Sequence, residues 1–314
     1  MRDKISEIET IRSRKLPEGR PLVDLIDNLL HSWMMPGHRN QFDADFTIVR
    51  IVTILEVSFK DWTSRLIDFG EPYIENASQM NQSKNIKLDF GLIRAIHGKR
   101  VTIGELLSHS LSCNGIADID RSISDITGNS LFISIESVVD RVQHEIFNKP
   151  SQPIIKDITT NRSALSRLFE IRHIIVHELP NESIYQIDEV EAMIRHVKDF
   201  IQAVTEYILS LLYGEYPITQ TDMNIEASKE ARDVDKKLAE ILATIDPKNK
   251  DKDLWKTQRA WERYRKFQCE YRSGINKPFP GSIAPTLYGL ESASLTRERI
   301  ALMNWYVERK EGEM

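Results

Sequence analysis

The sequence predicts an all-α fold, and three observations carry that prediction. Apolar residues return at three- and four-residue steps through most of the 314-residue chain, the period of a helix with one buried face. Two-residue alternation is never sustained, so no strand pattern competes with it. Glycine and proline recur between the periodic stretches and cut the chain into pieces of helical length.

Taken in order, residues 22–34 form a short apolar segment closed by Pro36 and Gly37. From Phe46 to Phe69, the positions Val49, Val52, Ile54, Leu55, Phe59, Trp62, Leu66 and Phe69 mark an amphipathic helix, ended by Gly70 and Pro72. The stretch from Asn76 to Lys87 is polar and reads as a loop. Several shorter helices are expected between 88 and 148, broken at Gly98, Gly115 and Gly128-Asn129. Thr102 with Glu105 three residues on has the form of a capping box for a helix from Ile103. A short strand over residues 131–135 stays open as an alternative.

A helix beginning near Thr160 or Asn161 is expected to bury Leu165, Leu168, Ile171 and Ile175. After a turn over 180–183, Val190, Met193, Ile194, Val197, Ile201, Val204, Ile208 and Leu211 mark a long helix ending near Gly214. Pro217 then divides the chain into units of 1–219 and 220–314. The second unit reads as three helices, from about Met223 to Ile245, from Leu254 to Tyr271, and from Pro285 to Glu308.

Composition narrows the function classes. A hydrophobic content of 41% and a charged content of 28% are those of a globular protein, not of a disordered chain. The net charge of −5 argues against a protein that coats duplex DNA. It leaves room for an enzyme that gathers its basic groups in one cleft. The charged N-terminus carries no apolar core, so no signal peptide is expected. No apolar run approaches the roughly 20 residues of a membrane helix, so no membrane partner is expected. Cys113 and Cys269 fit reduced thiols, and the expected location is cytoplasmic.

The stretch with most chemistry is Arg172-His173-Ile174-Ile175-Val176-His177, at the end of an apolar helix and just before Pro180. Histidine moves protons near neutral pH, and arginine can hold a phosphate whose charge builds in a transition state. His173 and His177 are four apart and share a face. Arg172 and His177 lie about 140° around the axis and about 7.5 Å along it, within reach of one phosphate because arginine is long. Two other readings stand beside this one. His177 could cap the carbonyls at its helix's C-terminus, and the histidine pair has the spacing of two zinc ligands. No nearby cluster completes a metal set, so neither metal nor other cofactor is expected.

This arrangement, ahead of a turn and a last long helix, resembles the HEPN family over about residues 20–215. Those are small helical-bundle domains, many of them RNases of toxin–antitoxin and phage-defence systems. The resemblance implies an active site of Arg172, His173 and His177, with Glu56 on the early helix as an additional polar residue. It also implies a homodimer whose two motifs share one cleft, RNA as substrate, and an antitoxin or regulatory protein as a further partner. The expectation is a metal-independent endoribonuclease that leaves a 2′,3′-cyclic phosphate and a 5′-OH. The alternative is a noncatalytic bundle that binds RNA or protein.

Three blocks near the C-terminus, Leu254 to Cys269, Gly281 to Pro285 and Leu295 to Arg299, resemble the LprI-like domain over about residues 224–308. That family, named after a lysozyme inhibitor, is often periplasmic or membrane-attached and pairs two cysteines. Cys269 matches the first, and Glu291 stands where the second would be. The resemblance therefore implies no disulfide here. Trp255, Trp261 and their neighbours could stack on RNA bases beside Arg259, Arg263 and Arg265, or simply hold a helical hairpin together.

Overall fold

The computed structural model describes residues 4–14, 22–35, 37, 39–80, 90–98, 100–178 and 180–308. Two compact units emerge, Met1–Glu215 and Tyr216–Met314. The first runs through α1 (Lys4–Arg14), α2 (Leu22–Met34), α3 (Gln41–Phe69), α4 (Tyr73–Gln79), α5 (Phe90–His97), α6 (Ile103–Ser110), α7 (Ile116–Thr127), α8 (Leu131–Ile135), α9 (Ile158–His177) and α10 (Glu189–Tyr213). The second holds α11 (Gln220–Ile245), α12 (Lys252–Ser273) and α13 (Ala284–Glu308). The fold is all-α: among the described residues there is no strand, only an isolated bridge between Val139 and Pro153.

In the first unit α3 is the hub, packed against α2, α4, α6, α7, α9 and α10. A helix with so many neighbours must be apolar on more than one face. Ala44, Ile48, Ile51, Val52, Ile54, Leu55, Phe59, Trp62, Leu66 and Ile67 are all buried along it. Its start lies five residues before the first apolar position of the sequence pattern, because Asn40 caps it by accepting from the Asp43 amide. Phe42 and Phe46 in those first turns are exposed. Gly70, at φ +107°, ends the helix in a conformation that side-chain-bearing residues avoid. Ser58 and Thr63 are buried inside it, and each hydroxyl donates to the carbonyl four residues back.

The long helix α10 lies across this hub. Phe200 meets Trp62 edge-on at 6.3 Å, and the Trp62 indole donates to Thr205 at 3.1 Å. Phe59 and Phe200 are fully buried, each contributing about 2–3 kcal/mol of burial free energy.

The structure corrects one expectation and decides between two open readings. The polar stretch expected as a loop is helical at its start, in α4, because Tyr73 and Ala77 enter the core and Asn76 donates to the Ile126 carbonyl at 3.0 Å. Residues 81–89 of that stretch lie outside the described residues. The short apolar run Leu131–Ile135 is a helical turn, not a strand, burying Leu131, Phe132 and Ile135 together. Two further elements have little periodicity to announce them. These are α1, with Ile8 as its buried contact, and a π-helical turn at Val142–Ile146 with no buried residue.

In the second unit α11 and α13 pack closely and α12 lies on α13. Its core is small: Leu238, Leu242 and Met303, with Leu254, Trp255, Trp261 and Ile300 packed round them. Polar groups do the rest. Arg265 binds Asp235 and donates to Thr296 at 2.7 Å, while Gln220, Asn224 and Thr286 form a second knot. Trp261 has Arg265 at 4.8 Å and Arg299 at 5.8 Å from its ring centre.

Candidate active site

Helix α9 carries the arginine and both histidines. Asp157 caps it, accepting from the amides of Thr159 and Thr160. The Thr160 hydroxyl also donates to Asp157, holding its carboxyl below the usual range. Asn161, Leu165, Leu168, Phe169 and Ile171 hold the first three turns in the core. Beyond Ile171 the helix emerges: Arg172 is half-buried, and His173, Val176 and His177 are exposed. The segment that follows is tied back to α3 through Tyr185, whose hydroxyl donates to Asp45 at 2.5 Å and accepts from Gln41 at 2.9 Å.

Two pairings result. Arg172 Nη2 lies 3.8 Å from Glu56 Oε1, both side chains about 30% exposed (31% and 28%). The separation is long for a charge-assisted contact, and Arg172 Nε is buried without a hydrogen-bond partner. The guanidinium is thus held on one edge by a carboxylate and keeps donors for another acceptor. One turn on, the imidazoles of His173 and His177 stand 4.8 Å apart at 50°. Among the described residues no hydrogen bond joins either ring to Arg172.

The capping alternative for His177 finds no contact. The amide that closes α9 is that of Glu178, donating to Ile174 O, and no hydrogen bond from the His177 ring reaches the last carbonyls among the described residues. Nor does any group of three His, Cys, Asp or Glu side chains among those residues stand ready to hold a metal ion.

A groove of about 530 Å³ opens beside His173, walled by Asn114, Gly115 and Ile116 at the start of α7 and by Ser166, Phe169 and Glu170 of α9. Cys113 stands next to it, and its thiol is pushed up to about 12 by burial first and then by Glu56 and Asp118, with Lys60 and Arg172 pulling it down. Such a thiol stays protonated at neutral pH and is a poor nucleophile. Sequence reasoning missed Lys60 and Cys113 as neighbours of this site. Lys60 was findable, one helical turn from Glu56. Cys113 sits between helices and has no local signal.

The structure separates the three arginines that the sequence grouped as RNA contacts. Arg259 and Arg263 are exposed on α12. Arg265 points the other way, committed to Asp235, Thr296 and the Trp261 ring. Moving it to an RNA contact would break the knot between α11, α12 and α13.

Comparison with known proteins bears on this second unit. Residues 215–302 match the family described as Lysozyme inhibitor LprI. No HEPN family matches the chain, and no curated protein and no solved structure matches it. The LprI-like match begins at the boundary between the two units. Within it, Cys269 is fully buried and its thiol is raised by burial, with Arg265 opposing and Glu291 adding to the rise. Glu291 reaches α12 on both sides of that cysteine, 3.3 Å from Gln268 and 3.7 Å from Arg272.

Position 291 is thus near enough to Cys269 for the Glu291 charge to act on the thiol. Glu291→Cys is expected to crosslink to Cys269 under mild oxidation. The new bond closes a loop of about twenty residues and adds roughly 3 kcal/mol. Thiol titration after oxidation should then leave Cys113 alone reactive under denaturing conditions. Three titratable thiols would show that α12 and α13 do not present these positions to each other.

Proposed function

We propose that the first unit is a metal-independent endoribonuclease of the HEPN type. The observation that carries the reading is the Arg172–Glu56 contact beside the facing His173 and His177 rings, at the exposed end of α9. One imidazole takes the proton of a ribose 2′-OH as its oxygen attacks phosphorus. The P–O5′ bond breaks, and the other imidazole, protonated, gives its proton to the departing oxygen. Arg172, positioned by Glu56, holds the charge on the non-bridging oxygens. The products are a 2′,3′-cyclic phosphate and a 5′-OH, and every proton is accounted for by the two histidines.

A homodimer follows from the same reading. The overall charge is acidic, and two copies of the motif across a two-fold axis would pool their cations in one cleft. The buried side of α10 is taken by the protomer's own core. The exposed face of α9, with Glu170, His173, Val176 and His177, offers a surface for a partner copy. A toxin or phage-defence role, under the control of an antitoxin or regulatory protein, belongs to the same proposal.

End chemistry tests it. RNA treated with the purified protein in excess EDTA is expected to carry 2′,3′-cyclic phosphate and 5′-OH ends, while DNA stays intact. Activity lost in EDTA and restored by magnesium or zinc would overturn the metal-independent mechanism.

A further inference from the structure

Seven cations lie on α12, and the structure divides them. Arg265, Lys266 and Arg272 are each paired with a carboxylate, Asp235, Glu270 and Glu291. Lys252, Lys256, Arg259 and Arg263 are exposed and make no ion pair among the described residues. The unpaired four are not scattered. They follow one another at steps of four, three and four residues, so they form a single row along the helix. In a protein of net charge −5, such a row is a local reversal of sign.

The row does not end at Arg263. Two further four-residue steps reach Phe267 and Tyr271, which are 59% and 82% exposed. From Lys252 to Tyr271 the line spans about 28 Å and winds by about 100°. At its basic end lies a groove of about 530 Å³ walled by Asn249, Lys252, Trp255, Lys256 and Arg259, with Asp253 the one carboxylate among its lining. Asp246 accepts from the Trp255 indole at 2.9 Å and fixes that wall.

We infer that this face of α12 is a track for single-stranded nucleic acid, with RNA as the ligand. Four cations in file match one phosphate backbone; the two strands of a duplex would call for two rows. Exposed rings continuing the same line offer platforms on which unpaired bases stack, and any base can use them. A membrane surface fits less well, because the aromatic residues lie beyond the basic row, not beneath it as an apolar face to insert. The track belongs to the second unit and the Arg172 site to the first. It needs no cleavage to be observed.

The test is binding of a short 2′-O-methyl oligouridylate to the full-length protein, read by fluorescence anisotropy against salt. The blocked 2′-oxygen removes any cleavage. Four contacts predict a log–log slope near −2.8, at about −0.7 per phosphate on a single strand. Lys256→Gln with Arg259→Gln should make the slope shallower by about 1.4. Phe267→Ala or Tyr271→Ala should weaken binding roughly tenfold and leave the slope alone. Lys229→Gln with Lys236→Gln, on exposed α11 positions that each pair with an acidic neighbour, should change little. The inference is overturned if binding ignores the α12 substitutions, or if the protein holds phosphatidylserine vesicles and not the oligonucleotide. Loss of cleavage by Arg172→Ala with binding intact would leave this track standing, and loss of the track would leave cleavage of short substrates standing.

Discussion

Alanine at Arg172 or at His177 is expected to lower RNA cleavage by about a hundredfold or more, with the fold intact. Removing a group that holds transition-state charge, or one that transfers a proton, commonly costs that much. Stability should hardly change. His177 is exposed, and removing Arg172 leaves a Glu56 that water already reaches, since 28% of its side chain is exposed. Arg172→Lys should not rescue the rate, because an ammonium lacks the planar fork that grips two phosphate oxygens. Glu56→Gln is expected to cost less than either, since Glu56 acts through Arg172. Its loss should appear in kcat more than in KM, the pattern of an interaction tightened in the transition state. The double variant Arg172→Ala with His177→Ala should be no slower than the worse single one, as for residues that work as a unit. Wild-type cleavage in either single variant, at unchanged thermal melting, would sink the nuclease proposal at this site.

How far the chain could be read without coordinates depends on the range of the interactions. The His173–His177 contact follows from four-residue spacing, so the sequence contains it in full. The capping box at Thr102 and Glu105 is equally local, and both of its hydrogen bonds are present. The contact between Glu56 and Arg172 is of another kind: 116 positions separate them, and only the packing of α9 on α3 brings them within reach. Helix α1 illustrates the same limit. Its anchors are Arg12 to Glu105 and Arg100 to Glu9, more than 90 positions apart, and its own apolar pattern is faint. Elements held by periodic burial were legible. Elements held by distant polar partners, such as α4 through Asn76, were not. On α12 the periodic signal specifies aromatics and arginines in general. Only the packing distinguishes Arg265, spent on Asp235, from Arg259 and Arg263, which make no ion pair among the described residues.

Two glycines sit where helices approach closely, and substituting them should produce large stability losses. A Cβ on Gly289 of α13 would lie 2.8 Å from the carbonyl carbon and oxygen of Ala227 on α11. Those are backbone atoms and cannot rotate away. Gly104, on α6, would drive its Cβ into the Ser64 carbonyl oxygen and to 2.7 Å from the Asp68 carboxyl carbon, disturbing the bond from its own amide to Asp68. Relief in both cases requires one helix to move off the other, so the cost sits at or above the upper end of the overpacking range, about 3 kcal/mol or more. That is a factor of more than a hundred in the folding equilibrium. Helix propensity pulls the other way, because alanine is favoured over glycine in a helix by about 1 kcal/mol, and it is too small to compensate. Gly115→Ala is the control: nothing lies within 4 Å of its Cβ position and its backbone is extended, so it should lose only the preference for glycine over alanine at a helix N-cap, about 1 kcal/mol. Denaturant midpoints for Gly104→Ala and Gly289→Ala that match the wild type would mean that α3 and α6, or α11 and α13, stand further apart than their packing here requires.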